Sequence, residues 1–139
     1  MSEEVITKLK FLEGYRFRVT FDLGVPEIIV DEPKPIGGGS GPGSTRLLSA
    51  SVGHCLSSSF LYCLRKAQIR IKGLETTVKL STARNEEGRL RVRDIDVQID
   101  LDVNEDDRQR VPRCLEVFEN YCTVTQSVRK GIEVNVKIV

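Results

Sequence analysis

The feature that most constrains this chain is a long apolar run between a glycine-rich loop and the basic pair Arg65 and Lys66. Its apolar residues recur at spacings close to three and four, the period of an amphipathic helix: Leu47, Leu48, Val52, Cys55, Leu56, Phe60, Cys63 and Leu64. Small residues fill much of the rest, among them Ser49, Ala50, Ser51, Gly53, Ser57, Ser58 and Ser59. Small side chains let a helix approach other backbones closely. The run therefore predicts a central buried helix over residues 45–68, which Ser44 or Thr45 can cap.

The segment before that helix, residues 33–44, reads PKPIGGGSGPGS and contains five glycines and three prolines. This composition has little tendency to form helix or strand, so it predicts a loop. The loop lacks the lysine of a P-loop and does not fit the dinucleotide fingerprint, which argues against a phosphate-binding role.

The residues before the loop have the pattern of strands. Tyr15, Phe17, Val19 and Phe21 alternate with polar residues, as in a strand with one buried face. The segments VITKLKF and EIIVD lie on either side of this strand, and glycine-containing turns separate the three. Together they predict an antiparallel meander of three strands.

The chain after the central helix predicts a hairpin, a helix and a final strand. Residues 76–103 alternate around a turn at residues 85–88, and the alternation breaks near Arg93 and Asp94, which indicates a bulge. Asn104 begins a helix that Pro112 kinks or interrupts. The segment GIEVNVKIV, residues 131–139, alternates apolar and polar side chains and is predicted to be a strand.

This order of elements belongs to the α+β class and not to repeated βαβ units. A chain of 139 residues is long enough for one domain with a real core, so we expect a single domain over residues 1–139. One small sheet can hardly cover so apolar a central helix. We therefore expect antiparallel sheets around the buried helix, in an intimate homodimer.

The composition excludes several classes of partner. The net charge is +1 and aromatic residues are not interleaved with basic ones, so neither nucleic acid nor a membrane is expected as a partner. No apolar run approaches the roughly 18 residues of a membrane-spanning helix. The first residues, MSEEVITKLK, lack the apolar core of a secretory signal, so the expected location is the cytoplasm, where thiols are usually reduced.

The cysteines are the residues best suited to chemistry: Cys55, Cys63, Cys114 and Cys122. In a cytoplasmic protein such residues are buried, metal-bound or reactive. Structural zinc sites usually present their ligands in close pairs, whereas these cysteines lie eight positions apart within each half of the set, so we expect no metal. Cys63 and Cys114 are expected to be core residues. Cys55 and Cys122 are a candidate pair for redox chemistry, with a structural disulfide as the rival interpretation.

The segments GGGSGPGSTRLLSASVGHC and NYCTVTQSVRKGIEVNVKI, with the N-terminal meander, resemble the OsmC/Ohr family, in its divergent OsmC-like branch. These are the osmotically inducible protein C and organic hydroperoxide reductase proteins. The resemblance covers nearly the whole chain and implies an OsmC-like fold, in an intertwined homodimer with active sites at the subunit interface. It also implies thiol-dependent reduction of hydroperoxides, preferably organic ones, without a metal or organic cofactor.

Carried onto this chain, the resemblance makes Cys55 the peroxidatic thiol and Cys122 the resolving thiol. The Cys55 thiolate would attack the peroxide oxygen and become a sulfenic acid, and Cys122 would condense with it to a disulfide. A dithiol reductant, for which a lipoyl-type dithiol is one candidate, would restore both thiols.

The sequence departs from the family pattern at one place. Peroxidases of this family resemble each other in a Pro-Glu pair shortly before the first cysteine, with an arginine paired to the glutamate, but this chain has Ser44 and Thr45 there. Arg16, Arg18 and Arg46 are the candidates for that arginine. The alternative function is therefore a non-catalytic protein of the same fold, which binds a small apolar or electrophilic ligand in the dimer cleft.

Overall fold

The structure is a computed structural model that describes residues 3–139. Its longest helix, α1, spans Ser44–Lys66 and confirms the central helix that the sequence predicts. The buried residues of α1 are Val52, Gly53, Leu56, Phe60 and Leu64. By length and composition alone α1 would also pass as a membrane-spanning helix. Its buried residues nevertheless pack into two hydrophobic clusters of the same chain, as in the core helix of a globular protein.

The chain divides into two compact units, one ending at Leu47 and the other beginning at Leu48, while a single domain stays a prediction. The first unit contains an antiparallel sheet of β1 (Thr7–Glu13), β2 (Arg16–Phe21) and β3 (Ile28–Val30), in that order. This sheet is the predicted meander. Val19 and Val30 are its buried residues. They share one face of the sheet, because Val30 pairs with Phe17 and Val19 follows Phe17 by two residues.

The glycine-rich loop follows β3, and Asp31 anchors it. The carboxylate of Asp31 accepts hydrogen bonds from the backbone N–H and the hydroxyl of Ser40, at 3.0 and 2.8 Å. It also accepts one from the backbone N–H of Glu32, at 2.8 Å. These bonds, above all the one from the Ser40 backbone, lower the pKa of Asp31 below its ordinary value. The carboxylate of Asp31 therefore holds the loop in one conformation, although its glycines could adopt many.

The second unit contains an antiparallel hairpin of β4 (Ile71–Arg84) and β5 (Leu90–Val103). Its register shifts at two places, one at the start of β4 and one near the start of β5. Asp94 pairs with Ser81, while Val92 pairs with the next residue, Thr82. Arg93 is therefore an extra residue in β5, which confirms the bulge that the sequence predicts near this position.

α1 approaches the hairpin closely at Gly53. A Cβ atom at this position would lie 2.7 Å from Cγ2 of Val78 on β4, well inside carbon–carbon contact distance. One turn later, the hydroxyl of Ser57 lies 2.6 Å from the carbonyl oxygen of Gly53 and 2.5 Å from the hydroxyl of Thr76. The small residues of α1 thus let the helix lie directly against a strand.

Four short helical segments follow β5: α2 (Glu105–Arg108), α3 (Val111–Val117), a 3₁₀ turn (Phe118–Tyr121) and α4 (Thr123–Lys130). Pro112 lies in the first turn of α3, where its missing N–H costs no helical hydrogen bond. It therefore marks the interruption that the sequence predicts. The 3₁₀ turn packs on α1, because the ring centroids of Phe118 and Phe60 lie 4.9 Å apart.

The strand predicted for residues 131–139 does not form within this single chain. Within the described residues this segment pairs with no strand. Its alternating apolar side chains, Ile132, Val134, Val136 and Ile138, are 63%, 78%, 81% and 93% exposed. Alternation predicts which side chains would share a face, but a strand also needs a neighbour to receive its backbone hydrogen bonds.

Candidate dithiol site

Cys55 lies near the middle of α1 and is half-buried. Its sulfur accepts a hydrogen bond from the backbone N–H of Val124, at 3.4 Å. Val124 is the second residue of α4, and the first N–H groups of a helix have no partner inside it. The sulfur of Cys55 therefore meets the positive end of the α4 dipole, a position that favours a thiolate.

Cys122 directly precedes α4 and is 0% exposed. It belongs to a hydrophobic cluster with Val52 and Leu56 of α1. Its thiol donates a hydrogen bond to Oγ1 of Thr125, at 3.0 Å, and Thr125 is itself buried. The first turn of α4 thus encloses Cys122 while it presents a donor to Cys55.

The structure brings Cys55 and Cys122 together as free thiols, since Cys55 packs against the hydrophobic cluster that contains Cys122. Burial and the neighbouring Cys122 raise the pKa of Cys55 above its ordinary value. Burial also opposes ionisation of Cys122, but hydrogen bonding with Cys55, Thr125 and Ser59 outweighs it and lowers the pKa of Cys122. In the reduced pair, ionisation is therefore easier at Cys122 than at Cys55.

A cavity of about 430 Å³ opens beside Cys55. Its lining consists of Ser51, His54, Cys55, Ser58, Ser59, Tyr121, Thr123 and Val124. Cys122 lies behind this surface, fully buried. A small molecule that enters the cavity therefore reaches the sulfur of Cys55 before that of Cys122.

The sequence offered three arginines as candidates for the family arginine, and two of them form ion pairs with nearby glutamates. Arg16 forms an ion pair with Glu13 at 2.9 Å, within the first unit. Arg18 forms one with Glu27 at 3.5 Å, in the same unit. Arg46 is exposed in the first turn of α1. Two of the three candidates thus have carboxylate partners of their own.

None of the groups with the largest influence on the pKa of Cys55 is an arginine. The largest influences are burial, the thiol of Cys122 and the backbone N–H groups of Val124 and Thr125. Sequence reasoning missed Val124 and Thr125, although both lie in the segment CTVT. Cys122 directly precedes a short helix, and the first N–H groups of a helix are free to bind a neighbouring sulfur. The position of Cys122 before this helix is the signal that the sequence offered.

A second thiol pair accompanies the first. Cys114, on α3, is 2% exposed and lies in a hydrophobic cluster against which Cys63 of α1 packs. Burial, together with the neighbouring thiol of Cys63, raises the pKa of Cys114 to about 11. The expected core position of Cys114 is confirmed, whereas the pairing was not predicted. The equal eight-residue spacing within each segment was the signal for it.

The spacing of the two pairs bears on metal binding. Eight residues of helix extend about 12 Å, so Cys55 and Cys63 lie too far apart to share one ion with bonds of about 2.3 Å. Within residues 3–139, no group of three or more His, Cys, Asp or Glu side chains is arranged to hold a metal ion. This geometry argues against one site made of all four cysteines.

Solved structures with the same fold include several OsmC-like proteins. An OsmC-like protein of unknown function from Vibrio cholerae O1 biovar eltor matches with a TM-score of 0.75 and 13% identity, covering 91% of this chain and 94% of that one. The organic hydroperoxide resistance protein OsmC from Legionella pneumophila gives 0.65 and 17%, with 91% and 90% covered. An organic hydroperoxide resistance protein from Elizabethkingia anophelis gives 0.68 and 20%, with 96% and 93% covered.

At these identities the structural likeness shows the fold, an α+β arrangement of antiparallel sheets and a long helix. No curated protein matches the sequence. The family model of the OsmC-like proteins matches residues 37–137, which include the five glycines of the glycine-rich loop, α1 and all four cysteines. The chain therefore belongs to the family of OsmC-like proteins.

Proposed function

We propose that this protein reduces organic hydroperoxides with Cys55 and Cys122 as a catalytic dithiol. The observation that carries the proposal is the contact between the two thiols, one lining a cavity and the other fully buried behind it. Two proteins of the same fold are named organic hydroperoxide resistance proteins, which supports the choice of substrate.

Access assigns the roles within the pair. Cys55 lines the cavity and is the peroxidatic thiol, although Cys122 ionises first. Loss of a further proton, from Cys55, places charge on the accessible sulfur. The N–H of Val124 then stabilises the Cys55 thiolate at the start of the reaction.

The reaction proceeds in two balanced steps. The Cys55 thiolate attacks the outer oxygen of the hydroperoxide, the O–O bond breaks, and the organic part leaves as an alkoxide, which takes a proton from solvent to become an alcohol. Cys55 is now a sulfenic acid. The sulfur of Cys122 then attacks that of Cys55, a disulfide forms, and water leaves. An external dithiol reduces the disulfide by thiol–disulfide exchange and restores both thiols.

Turnover with a reductant tests this proposal. Reduced protein is mixed with cumene hydroperoxide and excess dihydrolipoamide, and peroxide is measured over time. We expect catalytic consumption that Cys55→Ser largely abolishes. Ala50→Ser is the control, since it also introduces a serine on α1 but outside the lining of the cavity at Cys55, and it should keep most of the rate. Consumption no faster than in Cys55→Ser would refute the enzyme.

The partners include a second copy of this chain, as the exposed C-terminal segment supports. Residues 131–139 carry four exposed, alternating apolar side chains and pair with no strand among the described residues. A partner subunit would supply the missing strand pairing. Light scattering should give twice the chain mass of 15.6 kDa. Val134→Lys with Val136→Lys should shift the mass toward the monomer, whereas Glu133→Lys with Lys137→Glu should not.

A second candidate function follows from the raised pKa of Cys55. A thiol that stays protonated near neutral pH is a slow nucleophile, which favours a protein that binds a small apolar or electrophilic ligand beside Cys55 without turning it over. This candidate predicts that folded protein resists alkylation at Cys55. Rapid labelling of Cys55 in folded protein would rule it out in favour of the enzyme.

A further inference from the structure

The pair Cys63 and Cys114 repeats the arrangement of Cys55 and Cys122 about two helical turns further along α1. In each pair, α1 supplies one half-buried cysteine, and the segment 114–122 supplies one buried cysteine. The two cysteines of α1 are eight residues apart, and so are the two cysteines of the segment 114–122. Cys55 packs against the cluster that contains Cys122, and Cys63 packs against the cluster that contains Cys114. The two segments therefore run in opposite directions, and the two dithiols lie about 12 Å apart along α1.

Cys63 is open to small molecules through a cavity of its own. This cavity has a volume of about 630 Å³, and its lining includes Cys63, Tyr62, Lys66, Val117 and Tyr121. Its walls also include Ser58 and Ser59, which line the cavity at Cys55 as well. A ligand that reaches one dithiol therefore has a neighbouring route to the other.

We propose that Cys63 and Cys114 are a second redox-active dithiol, which a hydroperoxide oxidises to its own disulfide. Cys63 is the thiol that meets the oxidant, since it lines the cavity, and Cys114 is the thiol that resolves it, since it is buried against Cys63. The oxidant is the hydroperoxide of the proposed function, but the experiment below follows each thiol pair separately.

The atoms balance as in the first pair. The sulfur of Cys63 takes the outer oxygen of the hydroperoxide, and an alcohol leaves as the O–O bond breaks. Cys114 then attacks the sulfenic acid of Cys63, the S–S bond forms, and the hydroxyl leaves as water with the proton of Cys114. Two thiols lose two electrons in total, and one hydroperoxide gains them.

Disulfide mapping of the wild-type protein tests the inference. Trypsin is unsuitable, because it leaves Cys55 and Cys63 in residues 47–65 and Cys114 and Cys122 in residues 114–129. Chymotrypsin cleaves after Tyr62 and Tyr121 and separates the cysteines of each segment. After excess cumene hydroperoxide, free thiols should fall from four per chain to none, with Cys63 joined to Cys114.

A variant isolates the second pair. Cys55→Ser with Cys122→Ser leaves only Cys63 and Cys114, and these should still form a disulfide within one chain. Cys63→Ser should leave Cys114 free to alkylate after oxidation and unfolding. If the wild type keeps two free thiols, Cys63 and Cys114, after excess hydroperoxide, the inference is wrong even when the first pair is oxidised. The inference is also wrong if the Cys63–Cys114 disulfide forms in the wild type but not in Cys55→Ser with Cys122→Ser, because the hydroperoxide then does not oxidise Cys63 directly.

Discussion

The backbone N–H of Val124 donates a hydrogen bond to the sulfur of Cys55, at 3.4 Å. Val124 follows Cys122 by two residues, so one turn of chain supplies both the second thiol of the pair and a donor to the first. The site is therefore assembled from two segments only, the middle of α1 and the start of α4. Its chemistry depends on how these two segments share one proton between two sulfurs.

Replacing Cys122 should make Cys55 more reactive, even though it stops turnover. Cys122 raises the pKa of Cys55, so its removal in Cys122→Ser lowers that pKa and increases the thiolate fraction at neutral pH. Alkylation of Cys55 by iodoacetamide at pH 7, followed by mass spectrometry, should be faster than in the wild type. Cys114→Ser is the control and should leave the rate at Cys55 unchanged. A slower reaction in Cys122→Ser would show that Cys122 assists ionisation of Cys55.

The pH profile of peroxide consumption should be displaced to high pH. Only the thiolate attacks, and the pKa of Cys55 is raised by burial and by Cys122, so the thiolate fraction keeps growing beyond the range of an ordinary cysteine. An ordinary thiol has a pKa of about 8.5. The initial rate should therefore still be rising at about pH 9, provided that circular dichroism shows folded protein. A plateau reached near neutral pH would mean that Cys55 is activated by a group other than those described.

Thr125→Val should destabilise the protein through Cys122. The substitution keeps the shape of the side chain but removes the Oγ1 atom that accepts the hydrogen bond of the buried thiol. Loss of a partner for a buried polar group costs about 1–3 kcal/mol, and a weak thiol donor places the expected loss near the lower end. Urea denaturation measures it. Thr123→Val, at an exposed position of the same helix, should change stability by less than about 0.5 kcal/mol.

Gly53→Ala should weaken the contact between α1 and β4. Alanine usually stabilises a helix relative to glycine by about 1 kcal/mol. Here the added methyl group would lie 2.7 Å from Cγ2 of Val78, so α1 and β4 must move apart. Overpacking of this kind costs about 1–3 kcal/mol, so we expect a net loss of stability. Ala50→Ser, at an exposed position of α1, is the control for surface changes. A more stable Gly53→Ala would mean that the strand yields easily.

The long helix and the hairpin bulge could be predicted because each leaves a local trace in the sequence. α1 has the helical period of apolar residues together with charges at its end, and the bulge at Arg93 interrupts an otherwise regular alternation. Such patterns report which residues are buried together within one element. They need no knowledge of the neighbouring elements.

The rest of the site depends on contacts between elements, which periodicity does not encode. Cys63 and Cys114 were expected only as core residues, since nothing in their local sequence states that α1 and the segment 114–122 run antiparallel. The C-terminal segment failed as a strand for the same reason, because alternation does not supply a partner. The direction of the pKa shifts at Cys55 and Cys122 likewise required the contact between them.

The most direct measurement of the central claim is a single turnover of the reduced protein. One equivalent of cumene hydroperoxide is added without reductant, and the alcohol product and the disulfides are quantified together. We expect one alcohol per chain, formed with the same time course as a Cys55–Cys122 disulfide within that chain. Alcohol that forms equally fast in Cys55→Ser, or hydroperoxide that stays intact while Cys55 and Cys122 remain reduced, would contradict the proposed role of this dithiol.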